Sequence, residues 1–182
     1  MFKIALSQIP DDGLSLAFEK DARSFTSLKG LVEAGEVAFQ APLRFELRAR
    51  HERDIIRVDG HMTALFILAC SRCLESFESR IEQPFTLRYA RQKAMDSRTE
   101  RSADFEMTID QIGLSFYEGE EIDLHDALQE QAILALPIKP LCREACKGLC
   151  PRCGTDLNRG TCQCRLKSQG GPFDKLKSLK LS

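Results

Sequence analysis

From Val37 the odd positions read Val37, Phe39, Ala41, Leu43, Phe45, Leu47 and Ala49, while Gln40, Arg44, Glu46, Arg48 and Arg50 fall between them. A period of two marks a strand with one buried and one wet face. Pro42 has no N–H to give a ladder, so an edge position or a bulge is expected there. Phe77, Ser79, Ile81, Gln83, Phe85, Leu87 and Tyr89 repeat the alternation, with Glu78, Arg80, Glu82, Thr86 and Arg88 on the other face. Two further strands are expected between these, over Asp54–Val58 and Gly60–Cys70, joined by a hairpin turn at Asp59-Gly60. The run Ala64-Leu65-Phe66-Ile67-Leu68-Ala69 is apolar on both faces and reads as the most central strand. Shorter strands are expected at Phe2–Ser7, Leu14–Phe18 and Phe105–Ile109, and Met95–Ala103 reads as a mobile polar loop.

One helix stands out. Leu124, Ala127, Leu128, Gln131, Ala132 and Ala135 recur at helical spacing, with Asp123 placed to cap and Pro137 and Pro140 to stop it. The spacing predicts a helix over 123–136. Strands that follow one another without intervening helices exclude a doubly wound α/β fold. The expectation is an α+β chain, mainly an antiparallel β meander curled into a sandwich or partial barrel, with one principal helix and a C-terminal cysteine-rich segment. Residues 1–136 form the β-rich domain in this reading, and residues 137–182 the metal-binding segment with a basic tail.

Composition changes this picture in one respect. Among 182 residues there are 8 cysteines, 3 histidines and no tryptophan. The N-terminus lacks the apolar run of a secretory leader, and the most apolar stretch, Met62 to Cys70, is far short of a membrane span. The chain therefore reads as cytoplasmic and reduced, where clustered cysteines bind metal more often than they form disulfides.

Six cysteines lie beyond the helix, as Cys142-x3-Cys146-x3-Cys150-x2-Cys153-x8-Cys162-x-Cys164, and the other two form Cys70-Ser71-Arg72-Cys73 between two strands. A tetrahedral structural zinc site takes four thiolates, and two C-x2-C pairs on tight turns supply them. Eight thiolates suit two zinc ions. Cys150-Pro151-Arg152-Cys153-Gly154 has the form of a zinc knuckle, and Asn158-Arg159-Gly160 turns the chain so that Cys162 and Cys164 return to it. This puts Cys150, Cys153, Cys162 and Cys164 in one site and Cys70, Cys73, Cys142 and Cys146 in the other. A second partition joins Cys70 and Cys73 with Cys150 and Cys153. Thiolate quartets also suit iron–sulfur clusters, and spacing does not separate zinc from iron. His51, His61 and His125 read as ordinary surface or packing residues, and no nucleotide-binding or hydrolase motif occurs. An enzyme is not expected, nor a small-molecule substrate or a membrane partner.

Ala135-Leu136-Pro137-Ile138-Lys139-Pro140-Leu141-Cys142, continued by Cys146-Lys147-Gly148-Leu149-Cys150-Pro151-Arg152-Cys153-Gly154-Thr155-Asp156-Leu157-Asn158, resembles the signature of the YceD family. Cys70-Ser71-Arg72-Cys73-Leu74-Glu75 is similar to that family's upstream cysteine pair. The resemblance runs over most of the chain and implies a part in making, assembling or protecting large-subunit ribosomal RNA. It supplies no reaction.

Charge bears on how such a part is played. The formal net charge is -1, which disfavours a general polyanion binder unless charge is segregated. It is segregated: Met95–Glu130 holds eleven acids against Arg98 and Arg101, and from Lys139 onward ten bases face three acids. Two zinc–thiolate sites offset part of that positive charge. Arg152, Arg159, Arg165, Lys167, Lys175 and Lys177 are the candidate phosphate contacts for ribosomal RNA or pre-ribosomal particles. The alternative is an adaptor whose acidic stretch holds a basic ribosomal protein. The tail, with Phe173, Leu176 and Leu179 three apart, reads equally as a helix docked on the core.

Overall fold

The computed structural model describes residues 2–92 and 113–164. The expected strand Phe105–Ile109, the loop Met95–Ala103, much of the acidic stretch and the tail from Arg165 lie outside the described residues.

Within them the chain forms β1 (Lys3–Ala5), β2 (Leu14–Lys20), α1 (Thr26–Glu33), β3 (Ala38–Phe39), β4 (Leu43–Glu52), β5 (Ile55–Ala69), β6 (Ser76–Arg91), β7 (Leu114–Tyr117), β8 (Glu121–Asp123) and α2 (His125–Leu134). The large sheet runs β2-β4-β5-β6-β7, with β3 also on β5, and β1 pairs with β8 in a separate ribbon. All pairings are antiparallel except β6 with β7. The architecture is α+β and dominated by antiparallel sheet; the large sheet stays open rather than closing into a barrel.

The alternation in β4 does what its period dictates: Leu43, Phe45, Leu47 and Ala49 are buried and the arginines and glutamates between them are exposed. β5 sits third in the order, and its Val58, Met62, Ala64 and Phe66 lie in the core. Phe25 and Leu28 from the α1 region, Leu124, Leu128 and Ala132 from α2 and its entry, and Ile4 with Ile122 from the small ribbon join them. One face of the large sheet is therefore covered, and burying each such large side chain contributes about 1.5–3 kcal/mol.

Four expectations are revised by the structure. Asp59-Gly60 is not a turn; both residues lie inside the continuous strand β5, and the reversal falls two residues after Glu52, with Arg53 in the left-handed region (φ 56°). Gly60 serves a different need. It pairs with Phe85, and a Cβ on Gly60 would stand 2.3 Å from two carbons of the Phe85 ring and 2.9 Å from Leu47 Cδ2. The ring occupies the space that a side chain would fill. Gly60→Ala must push the ring aside, an overpacking cost of about 2 kcal/mol. Urea unfolding at fixed zinc measures it, and an unchanged midpoint would refute the account.

The strand begun at Val37 is likewise two strands. Residues 40–43 face only Ala64 and Leu65 of β5, so β3 and β4 are split by a bulge that contains Pro42. The helix is shorter than 123–136 because Asp123 still belongs to β8. Its carboxylate nonetheless accepts the His125 N–H at 2.9 Å and so satisfies a first-turn donor. Finally, α1 and β7 are unanticipated. Gly30 weakens the helical signal of α1, and tertiary burial of Leu28 overrides it.

Candidate metal centres

Two turns of the same construction carry four of the cysteines. At Cys70-Ser71-Arg72-Cys73, the Leu74 N–H donates to the Cys70 carbonyl at 2.9 Å and the Cys70 N–H donates to Glu75 O at 2.9 Å. At Cys150-Pro151-Arg152-Cys153, the Gly154 N–H donates to the Cys150 carbonyl at 2.9 Å and the Cys150 N–H donates to Thr155 O at 2.8 Å. The residue after each second cysteine has a left-handed backbone, Leu74 at φ 62° and Gly154 at φ 72°. Each turn thereby aims two sulfurs and several N–H groups at one point.

The remaining cysteines complete two quartets. The ligand atoms of Cys70, Cys73, Cys142 and Cys146 all lie within 4.8 Å of one another, and so do those of Cys150, Cys153, Cys162 and Cys164. Cys70 Sγ to Cys146 Sγ is 3.8 Å, and Cys73 Sγ to Cys142 Sγ is 3.8 Å. Thiolates about 2.3 Å from a tetrahedral ion are about 3.8 Å apart along each edge, whereas a disulfide needs about 2.05 Å. All eight cysteines are free. Donor type, number and spacing fit one four-coordinate metal ion per quartet.

The electrostatics agree. Backbone N–H groups of Cys142 and Cys73 aimed at the Cys70 sulfur hold its thiol down to about 6. Burial, joined by the neighbouring thiols, pushes Cys142 up to about 12. In the second quartet the Thr155 hydroxyl, 3.1 Å away, and backbone hydrogen bonding hold Cys153 down to about 6, while the adjacent Cys153 pushes Cys164 up to about 12. Sulfurs this close cannot all ionise by themselves; a cation removes that conflict and takes all four as thiolates.

The quartets are joined by residues that carry no sulfur. The Arg72 guanidinium donates to the carbonyls of Glu144 (3.1 Å) and Cys146 (2.8 Å), and the Arg72 carbonyl accepts the Leu149 N–H (3.0 Å). Asn158, in the loop of the second quartet, donates from Nδ2 to Cys146 Sγ of the first at 3.4 Å and accepts the Lys147 N–H at 2.9 Å. Ser71 donates through N–H and hydroxyl to the Pro140 carbonyl. Sequence reasoning assigned none of these roles. The repeated C-x-R-C was the one available signal for Arg72.

Of the candidate phosphate contacts, Arg165, Lys167, Lys175 and Lys177 lie outside the described residues. Arg159 is exposed but engaged, pairing with Glu75 and lying 3.6 Å from Asp156. Arg152 sits on the second turn between Cys150 and Cys153. No histidine joins either quartet among the described residues: His51 lies on β4, His61 on β5, and His125 stacks on Phe25 with ring centroids 5.1 Å apart. No helix among the described residues is long and apolar enough to cross a membrane.

Comparison with known proteins places this arrangement. An uncharacterised protein of Mycobacterium tuberculosis (strain ATCC 25618 / H37Rv) is 29% identical over 117 residues, covering 64% of this chain and 52% of its own length. An uncharacterised protein of Mycobacterium leprae is 27% identical over 149 residues, covering 80% and 62%. A protein of Arabidopsis thaliana named large ribosomal RNA subunit accumulation protein YCED homolog 1, chloroplastic, is 23% identical over 184 residues, covering 92% and 57%. The chain thus spans about half the length of the curated relatives it matches. No solved structure matches. The profile of the family described as large ribosomal RNA subunit accumulation protein YceD matches residues 58–180. That span takes in β6, α2 and both quartets, and the chain belongs to the YceD family.

Proposed function

We propose that this protein is a non-enzymatic, zinc-stabilised factor for the accumulation and assembly of large-subunit ribosomal RNA in the cytoplasm, acting on the RNA or on precursor particles. Membership of a family described by that role carries the reading. The two quartets support the structural part of it. Cys70, Cys73, Cys142 and Cys146 would hold one zinc ion, and Cys150, Cys153, Cys162 and Cys164 the other. An all-thiolate site has its four positions filled by protein, which suits a scaffold rather than an activated water. Zinc, when bound, supplies a closed cross-link and charge neutralisation, while Arg72, Asn158 and Thr155 orient the sulfurs.

The adaptor alternative gains from Arg159, whose pairing with Glu75 and Asp156 draws one candidate base away from phosphate. The two readings separate in one experiment. The tagged protein is purified from growing cells with and without nuclease, and the retained RNA and proteins are sequenced and identified. Large-subunit ribosomal RNA that disappears with nuclease is the expected result. A nuclease-resistant complex with a basic ribosomal protein would favour the adaptor. Deletion should also lower the ratio of large- to small-subunit ribosomal RNA, and an unchanged ratio would overturn the role itself.

A further inference from the structure

On the face of the large sheet turned away from the core, register sets Arg50 opposite Arg57 and Arg57 opposite Arg88. Three arginines stand side by side on adjacent strands, although like charges directly opposite one another destabilise a sheet. The next row holds Arg48, Asp59 and Thr86. Asp59 relieves part of the repulsion: its carboxylate accepts from Arg57 Nε (2.9 Å) and Thr86 Oγ1 (2.9 Å) and lies 3.3 Å from Arg50. Glu52 is 3.7 Å from Arg57. Burial works to raise the Asp59 pKa, but these hydrogen bonds and the two guanidiniums outweigh it and hold the carboxyl below its usual range.

Four arginines therefore face two carboxylates. Arg48 donates to the Asp12 carbonyl at 3.2 Å and has no carboxylate partner, and Arg88 makes no polar contact among the described residues. Beside Arg88, β7 extends the same face with Leu114 opposite Arg88 and Phe116 opposite Ala90. Phe116 is 58% exposed. The buried residues of α1, α2 and the β1–β8 ribbon all join the core on the opposite face.

We propose that this arginine row, with Arg48 and Phe116, binds single-stranded RNA, the guanidiniums meeting phosphates and the Phe116 ring stacking on a base. The surface rests on the RNA reading above and moves the contact from the cysteine-rich end to the sheet. Guanidinium forks match phosphate oxygens, and an exposed aromatic beside a basic track is how sequence-tolerant single-strand platforms are built. An acidic protein would use the arginines but gain no stacking.

The test uses the full zinc-loaded chain and a short fluorescent oligouridylate, titrated over a range of salt. Arg88→Ala breaks no ion pair and removes a like-charged neighbour, so it should keep the wild-type unfolding midpoint or exceed it. Arg48→Ala breaks no ion pair and gives up one exposed hydrogen bond, to the Asp12 carbonyl, so its midpoint should fall only slightly. Each should weaken binding several-fold and flatten the salt slope by about 0.7. Phe116→Ala should weaken it about fivefold to a hundredfold with the slope unchanged. If wild type binds and all three variants match it, the sheet surface is wrong and the RNA reading survives. If wild type enters precursor particles in cells but binds no oligouridylate, the surface is again wrong while the assembly role stands. A nuclease-resistant protein partner lost from the arginine variants would make this face a protein dock and overturn the proposal.

Discussion

Cys70→Ser is expected to lower bound zinc from two ions per chain to one and to free residues 137–164 from the sheet. The first quartet draws its ligands from the turn after β5 and from a segment beyond α2, with Cys146 76 positions after Cys70. Chain-entropy arithmetic gives a covalent cross-link of that reach about 4 kcal/mol, and a four-ligand ion acts in the same sense. What remains after its loss is a small set of contacts: hydrogen bonds from Ser71 to Pro140 and between Arg72 and the 144–149 turn, the Arg159–Glu75 pair, and the packing of Phe77, Leu141 and Leu149 around the cysteines. Each hydrogen bond contributes about 1 kcal/mol only while the segment is held in place. Cys150→Ser should also remove one ion, but it opens only the local loop of residues 150–164 and leaves the long-range staple. Metal content by mass spectrometry, with limited proteolysis near Pro137, separates the two. Zinc retained in both variants, or equal cleavage in both, would refute the division of labour.

Gly148→Ala carries the second large effect, because this glycine is required twice over. Its φ is 72°, and a Cβ there would stand 2.9 Å from the Arg72 carbonyl oxygen and 3.2 Å from Arg72 Cβ. The carbonyl cannot give way without disturbing the turn between Cys70 and Cys73. Gly148 also passes the chain to Cys150, and its own carbonyl accepts the Leu157 N–H at 2.9 Å. A loss of about 3 kcal/mol is expected, from left-handed strain of about 1–2 kcal/mol with the clash added, together with weaker zinc retention at both quartets. Gly154→Ala is the control: φ is again 72°, but nothing lies within 4 Å of the added carbon, so strain alone acts. Urea midpoints at saturating zinc and competition with a chromophoric chelator measure both. Equal losses for the two variants would show that close approach to Arg72 is irrelevant.

What could be read from the chain follows from the range of the interactions involved. The period of two in β4 and β6 needs only neighbouring residues, and the apolar run of β5 marks its own centrality. Asp59-Gly60 misled because Gly60 answers to a ring 25 residues on, at Phe85, and a turn and a missing side chain look alike in one dimension. β7 was hidden for a similar reason: it is short, and its parallel partner lies well before it in the chain. The cysteine pairs announce themselves by spacing. The groups that weld the quartets together, Arg72, Asn158 and Gly148, are ordinary residues until the turns are brought face to face.

The separation of Cys70 and Cys73 from Cys142 and Cys146 also imposes an order in time. Chains emerge from the ribosome N-terminus first, so β4, β5 and β6 pair while the first turn holds only half a coordination shell. Residues 150–164 carry all four sulfurs of their own quartet. The latch on the sheet, by contrast, waits for the chain to be made past Cys146. With a metal ion bound there, closure would report that synthesis has run to the cysteine-rich end, and a chain cut short of that point would keep an open pair of thiols.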